Sequence, residues 1–309
     1  MNKFTDSSWF RAPTPGLAYT TKFGEAYQFT IEQFLSSKES LPLRGKVELI
    51  VTSPPFPLVS PKRYGNKKGE EYLNWLANLA EPLSELLTPT GSIVLEIGNA
   101  WVKGEPSMST LPLETLIEFG KRGGLKLNQQ FICNNPSRLP SPAVWVNIKR
   151  IRVKDSYTHV WWYSKSETTK ADNRRVLQPY SKAMEKLLTR GSYNTATRPS
   201  DHSIGETSFL ADNGGAIPSS MLSFGNTNTS KPYRDWCISQ NVRLHPARMQ
   251  EGLVKFFLEF LTDENDLVFD PFGGSATTGS VAEKSGRRWV VTEPESDYLI
   301  GSIGRFIND

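Results

Sequence analysis

A short run, Thr52-Ser53-Pro54-Pro55-Phe56, places a hydroxyl, two prolines and an aromatic ring side by side. Two consecutive prolines fix the backbone and remove two N–H donors, which leaves the Ser53 hydroxyl and the Ser53 and Pro54 carbonyls as a rigid rim of acceptors. Such a rim can hold the N–H groups of an exocyclic amino group while Phe56 stacks on its ring. The grip favours a tetrahedral nitrogen whose lone pair attacks an electrophilic methyl group. Taken alone, the run is more typical of an ordinary turn.

A second run, Asp270-Pro271-Phe272-Gly273-Gly274-Ser275-Ala276-Thr277-Thr278-Gly279, lies far along the chain. It follows an apolar run at 265–269 and opens a predicted helix at 277–285, and strand, glycine turn and helix together form a unit that binds nucleosides. Glu293 follows a second predicted strand at 288–291, where an acid can accept both ribose hydroxyls. The residues predicted to contact a cofactor here are Asp270, Phe272, Gly273, Gly274, Ser275, Thr277 and Glu293.

The spacing of the glycines narrows the choice of cofactor. A dinucleotide site usually shows G-x-G-x-x-G, and a phosphate loop ends in G-K-[ST], whereas this chain reads F-G-G-S-A-T-T-G. S-adenosylmethionine (SAM) needs no pyrophosphate cradle, so the departure favours SAM over a nicotinamide dinucleotide. The run 47–51, an apolar strand that ends at Ser53-Pro54-Pro55-Phe56, places the first motif at a strand end, where ligands bind in α/β sheets.

TSPPF with a distal DPFGGS resembles the amino-group DNA methyltransferases of restriction–modification systems. In that family TSPP[YF] is the cytosine-N4 version and [DN]PP[YFW] the adenine-N6 version, and the order of the two motifs matches the permuted β class. The resemblance implies a Rossmann-like α/β fold that is circularly permuted, SAM as cofactor and a flipped cytosine in double-stranded DNA as substrate. It also implies a cognate restriction endonuclease that acts on the same DNA without binding this protein.

The resemblance covers residues 18–305. It implies that His245 and Pro246 contribute to the SAM site, and it includes a recognition region similar to that of PvuII-type cytosine-N4 enzymes. Relatives carry a Gly-Asp pair that contacts the adenine end of SAM, and the matching positions here are Phe29 and Thr30; Thr30 accepts a hydrogen bond but carries no charge. Other similar segments are 131–142, 152–155, 160–165, 198–205, 212–218 and 245–248.

Positive charge is concentrated in one segment. Residues 149–198 hold 12 Lys or Arg and 4 Asp or Glu, in a chain whose net charge is only +4. Aromatic and amide side chains lie among these charges: Trp161, Trp162, Tyr163, Tyr180, Tyr193 and Asn194. This pattern predicts phosphate contact, with a solvated charged face as the alternative. The residues predicted to bind DNA are Lys149, Arg150, Arg152, Lys154, Arg174, Arg175, Arg198, His202 and Asn213.

Alternating β and α patterns predict a mostly parallel sheet with an antiparallel hairpin, 131–133 with 158–164, at one edge. Residues 166–242 lose this periodicity, which predicts a small irregular target-recognition domain between a catalytic half, 1–165, and a SAM-binding half, 243–309. The other predicted elements are strands at 27–30 and 91–98, and helices at 31–37, 71–87 with an interruption at Pro82, 111–121, 180–188 and 253–261.

Composition limits the remaining possibilities. The chain of 309 residues has two cysteines, Cys133 and Cys237, and neither follows a proline, which argues against the Pro-Cys nucleophile of cytosine-C5 enzymes. Three histidines without ligand spacing predict no metal site. The chain contains no apolar run that would predict a membrane span or a signal peptide. We expect a monomer in the cytoplasm of a prokaryotic cell. We also keep adenine-N6, RNA or protein-glutamine methylation, nicotinamide-dependent oxidation and non-catalytic DNA binding as alternatives.

Overall fold

The computed structural model describes residues 15–57, 67–193, 207, 209–225 and 230–307. The chain divides into two compact units, the larger formed by Met1–Ala171 with Ser220–Asp309 and the smaller by Asp172–Ser219. The smaller unit lies inside the range 166–242 predicted for target recognition. The functional division into 1–165, 166–242 and 243–309 stays a prediction.

A nine-stranded sheet, counted over the described residues, forms the centre of the larger unit, and its strand order is β1-β2-β11-β10-β3-β4-β8-β7-β9. A separate two-stranded ribbon pairs β5 with β6. The strands are β1 (Gly16–Thr20), β2 (Gly24–Gln28), β3 (Val47–Thr52), β4 (Leu87–Gly98), β5 (Ala100–Trp101), β6 (Met108–Ser109), β7 (Lys126–Asn134), β8 (Tyr157–Ser164), β9 (Met221–Ser223), β10 (Leu267–Asp270) and β11 (Arg288–Thr292).

The middle of the sheet is parallel, as predicted: β2, β11, β10, β3 and β4 all run the same way. The predicted hairpin of β7 and β8 is confirmed as antiparallel. The hairpin lies toward one edge of the sheet, where the short strand β9, which the sequence did not indicate, pairs with β7 beyond it. At the opposite edge β1 and β2 form a second antiparallel hairpin that the sequence did not indicate.

The predicted helices are confirmed with shifted ends, and the sequence did not indicate α6 or α9. Thr30 caps α1 in a reciprocal pair with Gln33, and Gly123 ends α4. Around Pro82 the chain forms two helices, with the proline in the first turn of the second, where a missing N–H costs little. The helices are α1 (Ile31–Leu35), α2 (Gly69–Asn78), α3 (Ala80–Leu86), α4 (Leu111–Arg122), α5 (Lys182–Arg190), α6 (Lys231–Ser239), α7 (Glu251–Leu261), α8 (Thr277–Lys284) and α9 (Ser296–Ser302).

Buried side chains cover both faces of the parallel strands. All six residues of β3 are buried, as expected for a strand enclosed by helices. Phe257 on α7 is fully buried, and burial of such a ring stabilises the fold by about 1.5–3 kcal/mol. Cys133 and Cys237 are also buried. Over the described residues, no helix is both long and apolar enough to cross a membrane.

The smaller unit contains α5, which Ser181 caps at its start and Gly191 ends in a left-handed conformation (φ 66°). Its chain closes on itself through reciprocal backbone hydrogen bonds between Gln178 and Ala216. The Tyr180 hydroxyl lies 3.2 Å from the Asp212 carboxylate and accepts the Asn213 N–H.

The chain segments that carry the candidate functional groups lie at one edge of the large sheet. The parallel strands β3, β4, β10 and β11 end there, and loops at this edge bind ligands in open α/β sheets. The β7–β8 loop, defined as residues 135–156, leaves the sheet at the same edge, because Gly98 at the end of β4 pairs with Thr158 at the start of β8.

Candidate active site

A cavity of about 300 Å³ opens at this edge between the ends of β3 and β10. It is lined by the serine loop, residues 53–56, and by most of the glycine loop, residues 271–276. The sequence placed these two motifs some 200 residues apart, and the β3–β10 pairing brings them to one cavity. Of the predicted catalytic and cofactor residues, all but Pro246 line it: Thr30, Ser53, Pro54, Pro55, Phe56, His245, Asp270, Phe272, Gly273, Gly274, Ser275, Thr277 and Glu293.

Asp270 is a buried carboxylate that joins the two loops. It accepts hydrogen bonds from the Thr52 hydroxyl at 2.6 Å, from the Thr278 hydroxyl at 2.7 Å and from the Phe272 N–H at 3.0 Å. Burial raises the pKa of Asp270, and these three donors oppose the rise. Asp270 therefore fixes the residue before the serine loop to both ends of the glycine turn.

The glycines permit a close approach of the backbone to neighbouring groups. Gly274 has φ 53°, and a Cβ added there would lie 3.0 Å from Nε2 of His245. The Gly273 N–H donates to the Thr292 carbonyl at 2.9 Å. His245 in turn packs edge-on against Tyr298 with ring centres 4.5 Å apart. The glycine turn is thus enclosed by β11 on one side and by His245 on the other.

Glu293 is a second buried carboxylate on the cavity wall, with 7 % of its surface exposed. One oxygen accepts the Gly274 N–H and the other accepts the Glu295 N–H, each at 2.9 Å. Burial raises the pKa of Glu293 to about 7 in spite of these two donors. Each carboxylate oxygen keeps further capacity to accept a hydrogen bond.

Arg305 is hydrogen-bonded to Ser275 of the glycine loop. The sequence did not indicate this role. The Arg305 guanidinium donates to the Ser275 carbonyl at 2.7 Å and to the Ser275 hydroxyl at 3.1 Å, and a third bond reaches Glu251 at 2.8 Å. The residue is buried. A charged group enclosed in this way requires all of its partners, so Arg305 and Ser275 fix each other.

Glu96 lies behind the serine loop and was also missed. Its buried carboxylate accepts the Thr158 hydroxyl at 2.8 Å and is hydrogen-bonded to the Ser53 side chain. Burial raises the pKa of Glu96, and the two hydroxyl donors oppose the rise. Phe56 lies against Gly98, where an added Cβ would come within 2.5 Å of the ring. The serine loop is thus set by packing and by one buried acid.

Glu32 brings a carboxylate to the part of the cavity where Thr30 carries none. It accepts the Trp75 indole N–H at 2.6 Å, and Trp75 packs edge-on against Phe272. Burial opposes ionisation, but hydrogen bonds from Trp75 and Thr30 outweigh it and lower the pKa of Glu32. Glu32, Trp75 and Lys67 all line the cavity, although no sequence motif marks them.

The sequence profile of the DNA methylase family matches residues 47–302 of this chain. The chain is 42% identical to the type II methyltransferase M.PvuII of Proteus hauseri. The alignment spans 294 residues and covers 94% of this chain and 86% of that protein. This protein belongs to the DNA methylase family. It is also 26% identical to the type II methyltransferase M.BglII of Bacillus subtilis, over 82% of this chain and 62% of the relative.

Solved structures agree with this membership. The PvuII DNA methyltransferase (cytosine-N4-specific) superposes with a TM-score of 0.74 at 34% identity and covers 94% of this chain and 89% of its own. The M1.HpyAVI–SAM complex, at 17% identity and a TM-score of 0.53, covers 92% of this chain and 98% of its own and supports the fold alone. The predicted Rossmann-like methyltransferase fold is confirmed.

In this DNA methylase the basic residues predicted to bind DNA fall into two groups. In the β7–β8 loop, Lys149 lies over the Trp145 ring at 4.6 Å, and Lys154 donates to the Arg138 carbonyl at 3.4 Å. Arg152 stacks on Trp101 at 3.8 Å and donates to the Pro106 carbonyl, while Arg150 is exposed. These four residues share one loop, which leaves the sheet at the edge where the cavity opens, and their phosphate contacts stay a prediction.

The second group belongs to the smaller unit. Arg174 pairs with Asp172 at 2.7 Å, Arg175 lies 3.7 Å from the same carboxylate, and Asn213 is exposed. Arg198 and His202 lie outside the described residues. Three of the interleaved aromatic residues have a different role from the one the charge pattern indicated, because they are buried in β8 and form part of the core: Trp161, Trp162 and Tyr163. Tyr180 and Tyr193 are partly exposed, and Asn194 lies outside the described residues.

The sequence contained only weak signals for the missed residues. Thr52 and Glu96 stand at the ends of apolar strands, where a polar residue in a parallel sheet points to the ligand edge. Arg305 is a single cation in an otherwise apolar terminal segment, and nothing nearby indicates its contact with Ser275, 30 residues earlier. Among the described residues, no group of His, Cys, Asp or Glu side chains is arranged to hold a metal ion.

Proposed function

We propose that this DNA methylase transfers a methyl group from SAM to N4 of a cytosine that has been flipped out of duplex DNA. The observation that carries the proposal is the shared cavity, which sets the acceptor rim of Ser53 and Pro54 opposite the glycine loop. The likeness to a solved cytosine-N4-specific methyltransferase over most of the chain supports the same target.

The residues around the glycine loop fit SAM. Gly273 and Gly274 expose backbone to the cavity, and Glu293 has acceptor capacity for two ribose hydroxyls. Glu32 supplies the negative charge that Thr30 lacks and accepts a hydrogen bond from the adenine amino group of SAM. The aromatic rings of Trp75 and Phe272 lie beside it. When bound, SAM would supply an electrophilic methyl group on its sulfonium for direct transfer, with no covalent enzyme intermediate.

The serine loop holds the target base. Ser53 directs its own hydrogen toward Glu96, so the oxygen's lone pairs accept an N–H of the cytosine amino group. The Pro54 carbonyl accepts the other N–H, and Phe56 stacks on the ring. As the nitrogen gains its methyl group it loses one proton to Ser53, which passes its own proton to Glu96. Catalysis rests on alignment and on this polarised acceptor.

Ser53 distinguishes this proposal from adenine-N6 methylation, where the family usually carries Asp or Asn. The test is to incubate the protein with DNA and SAM, digest the DNA to nucleosides and separate them chromatographically. We expect N4-methylcytosine. Recovery of N6-methyladenine alone would establish the adenine alternative. Calorimetric binding of SAM without binding of NAD would exclude the nicotinamide-dependent alternative, which family membership already disfavours.

Target selection belongs in this proposal to the smaller unit, and phosphate contact to the basic residues of the β7–β8 loop. Side chains of the smaller unit, including Asn213, read base edges, and Lys149, Arg150 and Lys154 contact phosphates. The protein acts as a monomer in the prokaryotic cytoplasm and protects sites from a cognate restriction endonuclease. Sequencing DNA modified by the protein identifies the protected site, and methylation spread over unrelated sequences would contradict site selection.

A further inference from the structure

The β7–β8 loop exposes an unusual amount of apolar surface. Of fifteen large apolar side chains that are exposed in the described residues, five fall within 139–153. Leu139 is 81% exposed and Val153 86% exposed, higher fractions than for any other member of that set. Single exposed apolar residues need no explanation, but a cluster on one loop marks an interaction surface.

The loop has defined internal structure that holds these side chains outward. The Asp155 N–H donates to the Ser141 carbonyl at 3.0 Å, and the Ile151 N–H donates to the Trp145 carbonyl at 3.0 Å. The buried Asp155 carboxylate accepts the Asn99 amide at 2.6 Å, which fixes the loop to the end of β4. Arg150 adopts a left-handed conformation (φ 55°), and such strain concentrates at functional sites.

Hydrogen bonds connect the serine loop to the base of the β7–β8 loop. Ser53 is bonded to Glu96, and Glu96 accepts the Thr158 hydroxyl at 2.8 Å. Arg138, the neighbour of Leu139, donates to the carbonyl of the adjacent Tyr157 at 3.4 Å. The Lys154 ammonium donates to the Arg138 carbonyl at 3.4 Å, so Val153 and Leu139 are adjacent to two contacting residues on opposite limbs of the loop. The two most exposed apolar side chains therefore belong to a loop that is anchored, through Asp155 and Asn99, next to the Gly98 on which Phe56 packs.

The charge of the loop indicates what covers this surface. Residues 135–156 contain five Lys or Arg and one Asp. A basic loop with projecting apolar side chains matches a DNA duplex, whose phosphates attract the cations and whose base stack accepts apolar wedges. A protein or membrane partner would not explain why the loop adjoins the base pocket.

We propose that Leu139 and Val153 enter the duplex and fill the space that the flipped cytosine leaves. The inference rests on the proposed function and adds to it the residues that keep the base out of the stack. Flipping costs a few kcal/mol in lost stacking and pairing, and apolar side chains in the vacant position restore part of that loss. The wedge acts on DNA only, so cofactor binding is independent of it.

The test compares two duplexes that carry the site found by sequencing DNA modified by the wild-type protein. In one duplex the target cytosine pairs with guanine, and in the other it faces an abasic nucleotide, which removes most of the flipping cost. We expect the double variant L139A/V153A to lose about tenfold in kcat/KM on the paired duplex. On the abasic duplex it should approach the wild-type value. Ile238→Ala, at an exposed apolar residue on α6, is the matched control and should change neither value.

Each outcome has a defined meaning. Wild-type activity of L139A/V153A on the paired duplex would overturn the wedge, and so would an equal loss on both duplexes while SAM binding, measured by calorimetry, stays normal. A double variant that has lost SAM binding is replaced by the single variants, to which the same two criteria apply. If the wild-type protein itself produced no N4-methylcytosine, the proposed function would fail before the comparison of duplexes began.

Discussion

The glycine loop and the serine loop face the same cavity but are held in different ways. Three buried charged groups hold the glycine loop: Asp270 at its start, Glu293 at Gly274 and Arg305 at Ser275. The serine loop relies on two prolines, the contact between Phe56 and Gly98 and one buried acid, Glu96. One loop is organised by charge and hydrogen bonding, the other mainly by rigid backbone and packing.

Because the two loops are held differently, we expect substitutions at one to affect SAM binding and substitutions at the other to affect turnover. Buried charges lose much free energy when a partner is removed, so changes at the glycine loop should weaken SAM binding and stability. In the proposed function, packing around the serine loop sets the position of the reacting nitrogen, so changes there should slow the reaction while the cofactor still binds. The Thr52–Asp270 hydrogen bond joins the two residues that directly precede these loops.

The largest expected effect is on the serine loop. Ser53→Ala removes the polarised acceptor and should lower kcat about a hundredfold or more, because a preorganised catalytic hydrogen bond is worth that much. The SAM dissociation constant, measured by calorimetry, should stay within about twofold of wild type. Ser53→Thr keeps a hydroxyl and should recover part of the rate. If Ser53→Ala weakened SAM binding as strongly as turnover, the separation of the two loops would be wrong.

A change beneath the glycine loop should give the opposite pattern. Arg305→Met leaves the buried Ser275 carbonyl without its donor and should lower the free energy of unfolding by about 1–3 kcal/mol. We also expect SAM affinity to fall about tenfold, with kcat at saturating SAM less affected. Arg44→Met, at an exposed ion pair, is the control and should change neither quantity. Unchanged SAM affinity in Arg305→Met would show that the loop keeps its shape without Arg305.

Glu293 makes SAM binding depend on pH. Burial raises the pKa of Glu293 to about 7, and in the proposed site the ionised carboxylate accepts the two ribose hydroxyls. SAM binding therefore favours the ionised form. The affinity for SAM should be constant above pH 8 and decrease below pH 7, with a slope that approaches about tenfold per pH unit. Calorimetry between pH 5.5 and 8.5, values chosen to span about 1.5 units either side of the pKa, measures this slope.

Glu293→Gln separates this dependence from titration of the cofactor itself. The variant should bind SAM more weakly at pH 8 and lose the part of the pH dependence that Glu293 causes. A wild-type slope that persists unchanged in Glu293→Gln would mean that another group titrates.

The smallest expected effect tests packing at the serine loop. Gly98→Ala places a Cβ 2.5 Å from the Phe56 ring and should displace it, with a loss of about fivefold in kcat. Phe56→Leu supplies the matched background, because a smaller side chain gives the new methyl group room. In a double-mutant cycle the effect of Gly98→Ala should shrink in the Phe56→Leu protein. Equal effects in both backgrounds would show that Gly98 acts through another contact.

Local periodicity predicted the centre of the fold well. The apolar run at 91–98 and the βα unit around the glycine loop have strong patterns, and both occur as predicted in β4, β10 and α8. The outer parts were missed because their signals are weak. β9 has three residues, and β1 becomes a strand only by pairing with β2.

The site was predictable where a motif placed several functional groups in one short segment. Ser53 to Phe56 and Asp270 to Ser275 are such segments. Glu96 and Arg305 act through contacts with distant parts of the chain, and a single buried acid or arginine in an apolar context has many possible partners. Only the three-dimensional pairing of strands selects one of them.

The way the smaller unit is joined to the sheet has a consequence for evolution. Asp172–Ser219 is inserted between β8 and β9, which stand two places apart in the sheet with β7 between them, roughly 10 Å. Neither strand contributes a residue to the cavity wall. The sheet can therefore accept a replacement insert of different length and sequence at this junction without alteration of any group that performs chemistry. If the smaller unit selects the DNA site, as proposed above, exchange of the insert by recombination would give a lineage of such enzymes a route to new DNA sites while its reaction stays the same.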